Sequence, residues 1–148
     1  MMLAFRARQS TKDVDAIFAP PLEIREAADR AAAELNLAKD WLNDAAKGFL
    51  SEHGQFTHRG VRQFANLRVL TPTPQYLLAM KVMAARSGDV SLPSDKSDIA
   101  FLIQHLRLGS SEQVMDIVQS YYDPSRILPQ SWYLVDEIIQ EGTQGSSS

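Results

Sequence analysis

The chain has no cysteine among its 148 residues, which excludes disulfide bonds and thiolate-held metals and fits a reducing compartment, with the cytoplasm as the expected location. It has no glycine before Gly48, so the first third offers no turn at which a backbone without Cβ approaches a ligand closely. Basic charge is not in excess. With 15 lysines and arginines against 18 acidic residues, the formal net charge is -3, and no global field draws the protein to nucleic acid or an anionic membrane. Long apolar runs are missing as well: "YLLAMKVMAA" is far shorter than the roughly 20 residues a bilayer demands and is interrupted by Lys81. "MMLAFRARQS" has neither the length nor the small-residue cleavage site of a secretory signal. A soluble protein with no membrane partner is expected, of a length that suits one domain with its own core.

Against this background, "QSTKDVDAIF" places two acids one residue apart in an otherwise apolar segment. In a strand, Asp13 and Asp15 share one face while Val14 and Ala16 share the other. Two readings stand: a hard divalent cation between the carboxylates, as in phosphoryl or nucleotidyl transfer, or an acidic edge strand protected against pairing. A helix is expected to begin at the Pro20/Pro21 pair, with Ile24, Ala27, Ala28, Ala31 and Leu35 as its apolar stripe. "KDWLNDAAKGFL" reads as a short helix or turn, residues 51–66 as a loop or irregular hairpin, and "NLRVLT" as a short strand ended by Pro72 and Pro74.

From Thr73 onward the pattern is helical. "TPQYLLAMKVMAAR" is apolar nearly all round and predicts a helix buried on most faces. The next helix has Ser94 as N-cap and a stripe of Ile99, Leu102, Ile103 and Leu106. The one after it has Ser110 and Gln113 at capping-box spacing, with Val114, Ile117, Val118 and Tyr121 on one face. "PQSWYLVDEII" closes the chain's helical half with Trp132, Val135, Ile138 and Ile139, and residues 141–148 read as a disordered tail. The expected fold class is α/β (α+β), a small mixed sheet at the N-terminal side and a helical C-terminal half, in one domain over residues 1–140.

Several charged side chains stand out. Lys81 lies in a stripe with Leu77, Met80 and Ala84, so its ammonium either snorkels to a rim or faces an anion in a partly buried site. Asp95 and Asp98 share a face at the start of the following helix, where acids also complement the helix dipole. Asn43 and Asp44 either line a pocket or cap a short helix, with the cap the simpler reading. His53 and His58 lie at a spacing that matches no helix face and do not make a zinc motif. Arg59, Arg62 and Arg68 read as a solvated loop or as a basic strip towards a polynucleotide acceptor.

The order of "RARQSTKDVDAIF", "WLND", "YLLAMKVMAAR" and "SDKSDIAFLI" resembles the nucleotidyltransferase superfamily, in particular small bacterial proteins related to AbiE-type toxin nucleotidyltransferases. The resemblance runs from about Met1 to about Ile139. It implies Asp13 and Asp15 as ligands of Mg2+, Lys81 with Arg86 as the groups that hold an NTP, and Asp98 as a further member of the catalytic set beside Asp13, Asp15 and Lys81. It also implies an RNA end or a protein side chain as acceptor, and a small antitoxin as partner. Members of the superfamily carry a Gly-Gly or Gly-Ser turn upstream of the acid pair, whose amides approach the nucleotide phosphates. That turn is missing here, as though the chain began just downstream of it, and the loss of a first strand would leave a sheet edge that invites a homodimer or another partner. The family's third carboxylate from a later strand is also missing, since "NLRVLT" offers Arg68 instead, with Asp98 or Asp44 as substitutes. A catalytically inactive module of the same fold, working by nucleotide or protein binding, is the alternative. A helical DNA-binding domain over residues 94–122 is disfavoured by the acidic charge and by the lack of a basic recognition face.

Overall fold

The computed structural model describes residues 14–85 and 93–145, which are mixed α and β and divide between two compact units. The first unit holds the described residues up to Leu50, and the second holds those from Ser51 onward.

In the first unit, β1 (Val14–Asp15) pairs in parallel with β2 (Leu42–Asn43), with Val14 opposite Leu42 and Asp15 opposite Asn43. Parallel neighbours need a crossover, and α1 (Pro21–Leu35) supplies it. Helix α1 starts where the proline pair predicts, with Pro21 in its first turn. It ends as Asn36 turns into the left-handed region at φ 53°, and the Leu37 N–H bonds back to the Ala32 carbonyl at 3.0 Å. Its inward side is Ile24, Ala28, Ala31 and Ala32, whereas Ala27 and Leu35 are exposed. The expected stripe therefore included two exposed positions, Ala27 and Leu35, and left out Ala32, the buried one. The Trp41 indole N–H donates to the Ala28 carbonyl at 3.0 Å and ties the chain entering β2 to the middle of the helix. Strand β2 replaces the helix or turn expected at "WLND", and a 3-10 turn follows over Ala45–Phe49.

The second unit opens on an antiparallel ladder of β3 (Phe56–Thr57) with β4 (Thr71–Pro72), a hairpin whose long loop carries a further bridge between Phe64 and Leu67. The strand expected over residues 66–71 is thus confined to its last residue and Pro72, and the two ladders are separate sheets where one mixed sheet was expected. Four helices follow: α2 (Pro74–Ala85), α3 (Pro93–His105), α4 (Ser111–Tyr121) and α5 (Pro129–Gly145). Helix α2 packs against the other three and is the core element, with Tyr76, Leu78, Ala79, Val82 and Met83 fully buried. Ile99 and Leu102 of α3, Val114, Met115 and Val118 of α4 and Val135 of α5 close around it.

The helix ends follow known chemistry. Helix α3 begins at Pro93, so Ser94 lies inside the first turn and is not the N-cap. At its other end Arg107 adopts φ 55°, and the Arg107 and Leu108 amides bond back to Gln104 and Ile103, each at 3.0 Å. Ser110 caps α4 as expected, its hydroxyl accepting from the Gln113 amide at 3.4 Å. The Gln113 side chain reaches one residue further back than a capping box requires and accepts from the Gly109 amide at 2.7 Å. Helix α5 runs on through Gly145, so residues 141–145 are helical where a disordered tail was expected.

Near the start of α5, Ser131 is completely buried and its Oγ has no hydrogen-bond partner among the described residues. A buried hydroxyl without a partner costs about 1–3 kcal/mol. Ser131→Ala should therefore leave the fold as stable or raise its stability by about 1 kcal/mol, read as an increase in Tm. A loss of stability would reveal a bond that this geometry lacks.

Candidate functional site

Of the residues singled out from sequence, the structure brings three together: Lys81, Asp95 and Asp98. Lys81 of α2 and Asp98 of α3 form an ion pair with Nζ and Oδ2 at 3.0 Å, and Asp95, one turn earlier on α3, approaches the same ammonium at 3.5 Å. The helices explain the meeting. Lys81 follows the buried Met80 on the face of α2 that α3 covers, and Asp98 directly precedes the buried Ile99 on α3. Asp95 and Asp98, three residues apart, lie one above the other on α3. The lysine is thus held in a partly buried site facing an anion, and that anion belongs to this chain.

The three side chains differ in access to water. Asp98 is 2% exposed, Lys81 22% and Asp95 40%. A carboxylate as deeply buried as Asp98 persists only with a counter-charge or strong donors, and Lys81 supplies the counter-charge. Asp95 has no such need, since it is open to solvent and its position in the first turn of α3 complements the helix dipole. Lys81 has three N–H donors, so the geometry is one firm partner, one looser partner and an edge facing water.

Asp15 ends β1 and is exposed, with the chain beyond it anchored by the Ala16 amide on the Asn43 carbonyl at 2.8 Å. Asp13 and Arg86 lie outside the described residues. Asn43 lies in β2, and Asp44 does not cap the 3-10 turn through its side chain but pairs with Arg25 at 3.4 Å, both half exposed. Arg25 also stands 5.4 Å from the Phe18 ring centroid, a contact for which the sequence carried no signal. His53, His58, Arg59, Arg62 and Arg68 are exposed on and around the hairpin, and the Arg62 guanidinium stands 5.4 Å over the Phe64 ring.

As an oxygen donor open to solvent, the Asp15 carboxylate has the chemistry that a hard divalent cation takes. Asp15 belongs to the first unit and the Lys81 cluster to the second. Among the described residues, no group of three or more His, Asp or Glu converges on one point. No helix among them is long and apolar enough to cross a membrane.

Comparison with family models, curated proteins and solved structures returns no match. What the sequence reading missed is that Lys81 and Asp98 are partners. A lysine in one apolar helix and an aspartate in the next were the available signal, and only the crossing of α2 and α3 joins them.

A second built cluster is aromatic. The Tyr76 hydroxyl accepts from the Ser51 amide at 2.9 Å, the Tyr121 hydroxyl donates to Gln55 Oε1 at 2.8 Å, and Ser51 Oγ donates to the Tyr121 carbonyl. Burial, with Tyr76 beside it, pushes the Tyr122 phenol well above its ordinary value. This network clamps the chain before β3 onto α2 and α4. It is a structural joint, with its polar atoms already spent on one another.

Proposed function

We propose that this protein binds a nucleoside triphosphate with magnesium and transfers a nucleotidyl group to an acceptor on RNA or protein. The observation that carries the reading is Lys81: a cationic side chain on an otherwise buried helix, fixed by the buried Asp98 and still open at its edge. An ammonium positioned by a buried carboxylate is the kind of group that binds polyphosphate without losing much side-chain entropy. Asp15, exposed at the end of a short parallel strand, supports the reading independently as an oxygen ligand. Magnesium, when bound, would be held by Asp13 and Asp15 and would offset phosphate charge. In the transfer an acceptor oxygen forms a bond to the α-phosphorus, the bond to pyrophosphate breaks so that pyrophosphate leaves, and the acceptor's proton passes to solvent water. Lys81 acts there by offsetting charge on the polyphosphate. A role as the toxin of a toxin/antitoxin pair, with an antitoxin as protein partner, belongs to the same proposal.

A second reading is a module of this kind that binds but does not react. It is favoured by the pair of carboxylates around Lys81, which already satisfy much of its charge.

Calorimetric titration of each nucleoside triphosphate, with and without magnesium, tests the proposal. Magnesium-dependent binding is expected for the native chain, with at least a tenfold loss in Asp13→Ala/Asp15→Ala. Failure of every nucleotide to bind the native chain would sink it. Binding without turnover on any RNA or protein acceptor would favour the second reading.

A further inference from the structure

We infer that Asp95 is an internal anion that occupies Lys81 in the resting protein and has to leave when phosphate binds there. The inference rests on the reading of Lys81 as a phosphate group's partner and assigns to that site a built-in competitor. Three observations carry it. The two carboxylates are not equivalent, since Asp98 meets Nζ at 3.0 Å and is nearly sealed, while Asp95 stands at 3.5 Å and is 40% exposed. They share one ammonium, so a phosphate that reaches Lys81 with Asp95 in place would bring its charge against a carboxylate only a few ångströms away. Asp95 alone of the two can move into water without leaving a charge buried.

The consequence is a division of labour on α3. Asp98 is a positioning residue: it fixes the ammonium and stays. Asp95 sets how readily the ammonium is available, because apparent affinity falls in proportion to the fraction of molecules in which the site is open. A phosphate group substitutes for Asp95 by taking the same face of Lys81, so the ammonium keeps two anionic partners in both states. Exchange of one anion for another needs no rearrangement of the buried pair.

The test uses inorganic tripolyphosphate as the probe, titrated calorimetrically into the full chain. Asp95→Asn, which keeps the shape and removes the charge, should bind it about tenfold more tightly than the native chain. The same substitution in a Lys81→Met/Asp98→Asn background, where the ammonium is gone and no buried charge is left behind, should gain nothing. Asp95→Ser serves as a second variant, and circular dichroism confirms that each chain is folded. Tightening of equal size in both backgrounds would show a general charge effect and overturn the inference. So would an unchanged affinity in Asp95→Asn while loss of Lys81 weakens binding, an outcome that leaves the phosphate reading standing. Absence of tripolyphosphate binding in the native chain and in both Asp95 variants would remove that reading and the inference together.

Discussion

Lys81→Met should destabilise the protein by about 3–5 kcal/mol, the range for a buried ion pair stripped of one partner. Asp98 is 2% exposed and loses the ammonium 3.0 Å away. At roughly 2–4 °C per kcal/mol for a chain of this size, Tm should fall by about 10 °C. Adding Asp98→Asn should recover most of the loss, because an amide does not need a counter-charge. Asp95→Asn alone should shift stability by no more than about 1 kcal/mol, since its partner contact is half exposed and screened. The pattern matters more than any single value: a large loss, a rescue by neutralising the buried partner, and near silence at the exposed one. Equal and small effects at all three positions would mean that the pair is a surface contact, and the case for a rigid cation at Lys81 would go with it.

That asymmetry bears on function. A lysine whose only task is to neutralise Asp98 could be buried completely, and two apolar side chains would hold α2 to α3 at least as well. Lys81 keeps an open edge and a second, loosely held partner instead. The stability experiment and the tripolyphosphate titration thus address different halves of one arrangement. The first measures the firm bond and the second the exchangeable one.

The helices were legible in the sequence because each is long enough for its period to show. Leu102, Val114, Val118, Val135 and Ile138 all lie buried where the spacing puts them, and the proline pair and Ser110 mark helix starts that the structure keeps. The ladders were not legible, for the opposite reason. Each strand in them is two residues long, and two residues have no period. The chain beyond Ile139 misled for another reason: "QEGTQG" carries no apolar side chain, yet helix propagation needs only backbone bonds once the first turns are packed, and α5 continues through Gly145. At the site, Lys81 stood out as a charge in an apolar stripe and Asp98 as one of two acids on one face at a helix start. Their pairing spans two helices, and no spacing rule along one helix reaches across that crossing. The tyrosine joint was invisible for a similar reason, since Ser51, Gln55, Tyr76 and Tyr121 come from three separate stretches of chain.

Gly54→Ala should destabilise the second unit by about 1–3 kcal/mol through that joint. A Cβ added at Gly54 would stand 2.7 Å from Tyr76 Cε1 and 2.8 Å from both Cζ and the hydroxyl oxygen, closer than carbon atoms tolerate. The ring has no room to yield. It is fully buried, meets Phe56 edge-on at 5.5 Å and Tyr121 at 4.9 Å between centroids, and its hydroxyl accepts from the Ser51 amide. Moving it would break that hydrogen bond and open the contact with Tyr121, so the strain falls on the attachment of the hairpin to α2. Gly48→Ala is the matched control, because nothing lies within 4 Å of its added Cβ. With the contact removed from the comparison, only the reduced freedom of the unfolded chain remains, and Gly48→Ala should be neutral or stabilising by about 0.4–1 kcal/mol. Thermal unfolding of the two variants side by side decides the point. Opposite signs would locate the penalty in the Tyr76 ring, whereas equal Tm values would show that the ring shifts freely and that the chain before β3 is not clamped by it.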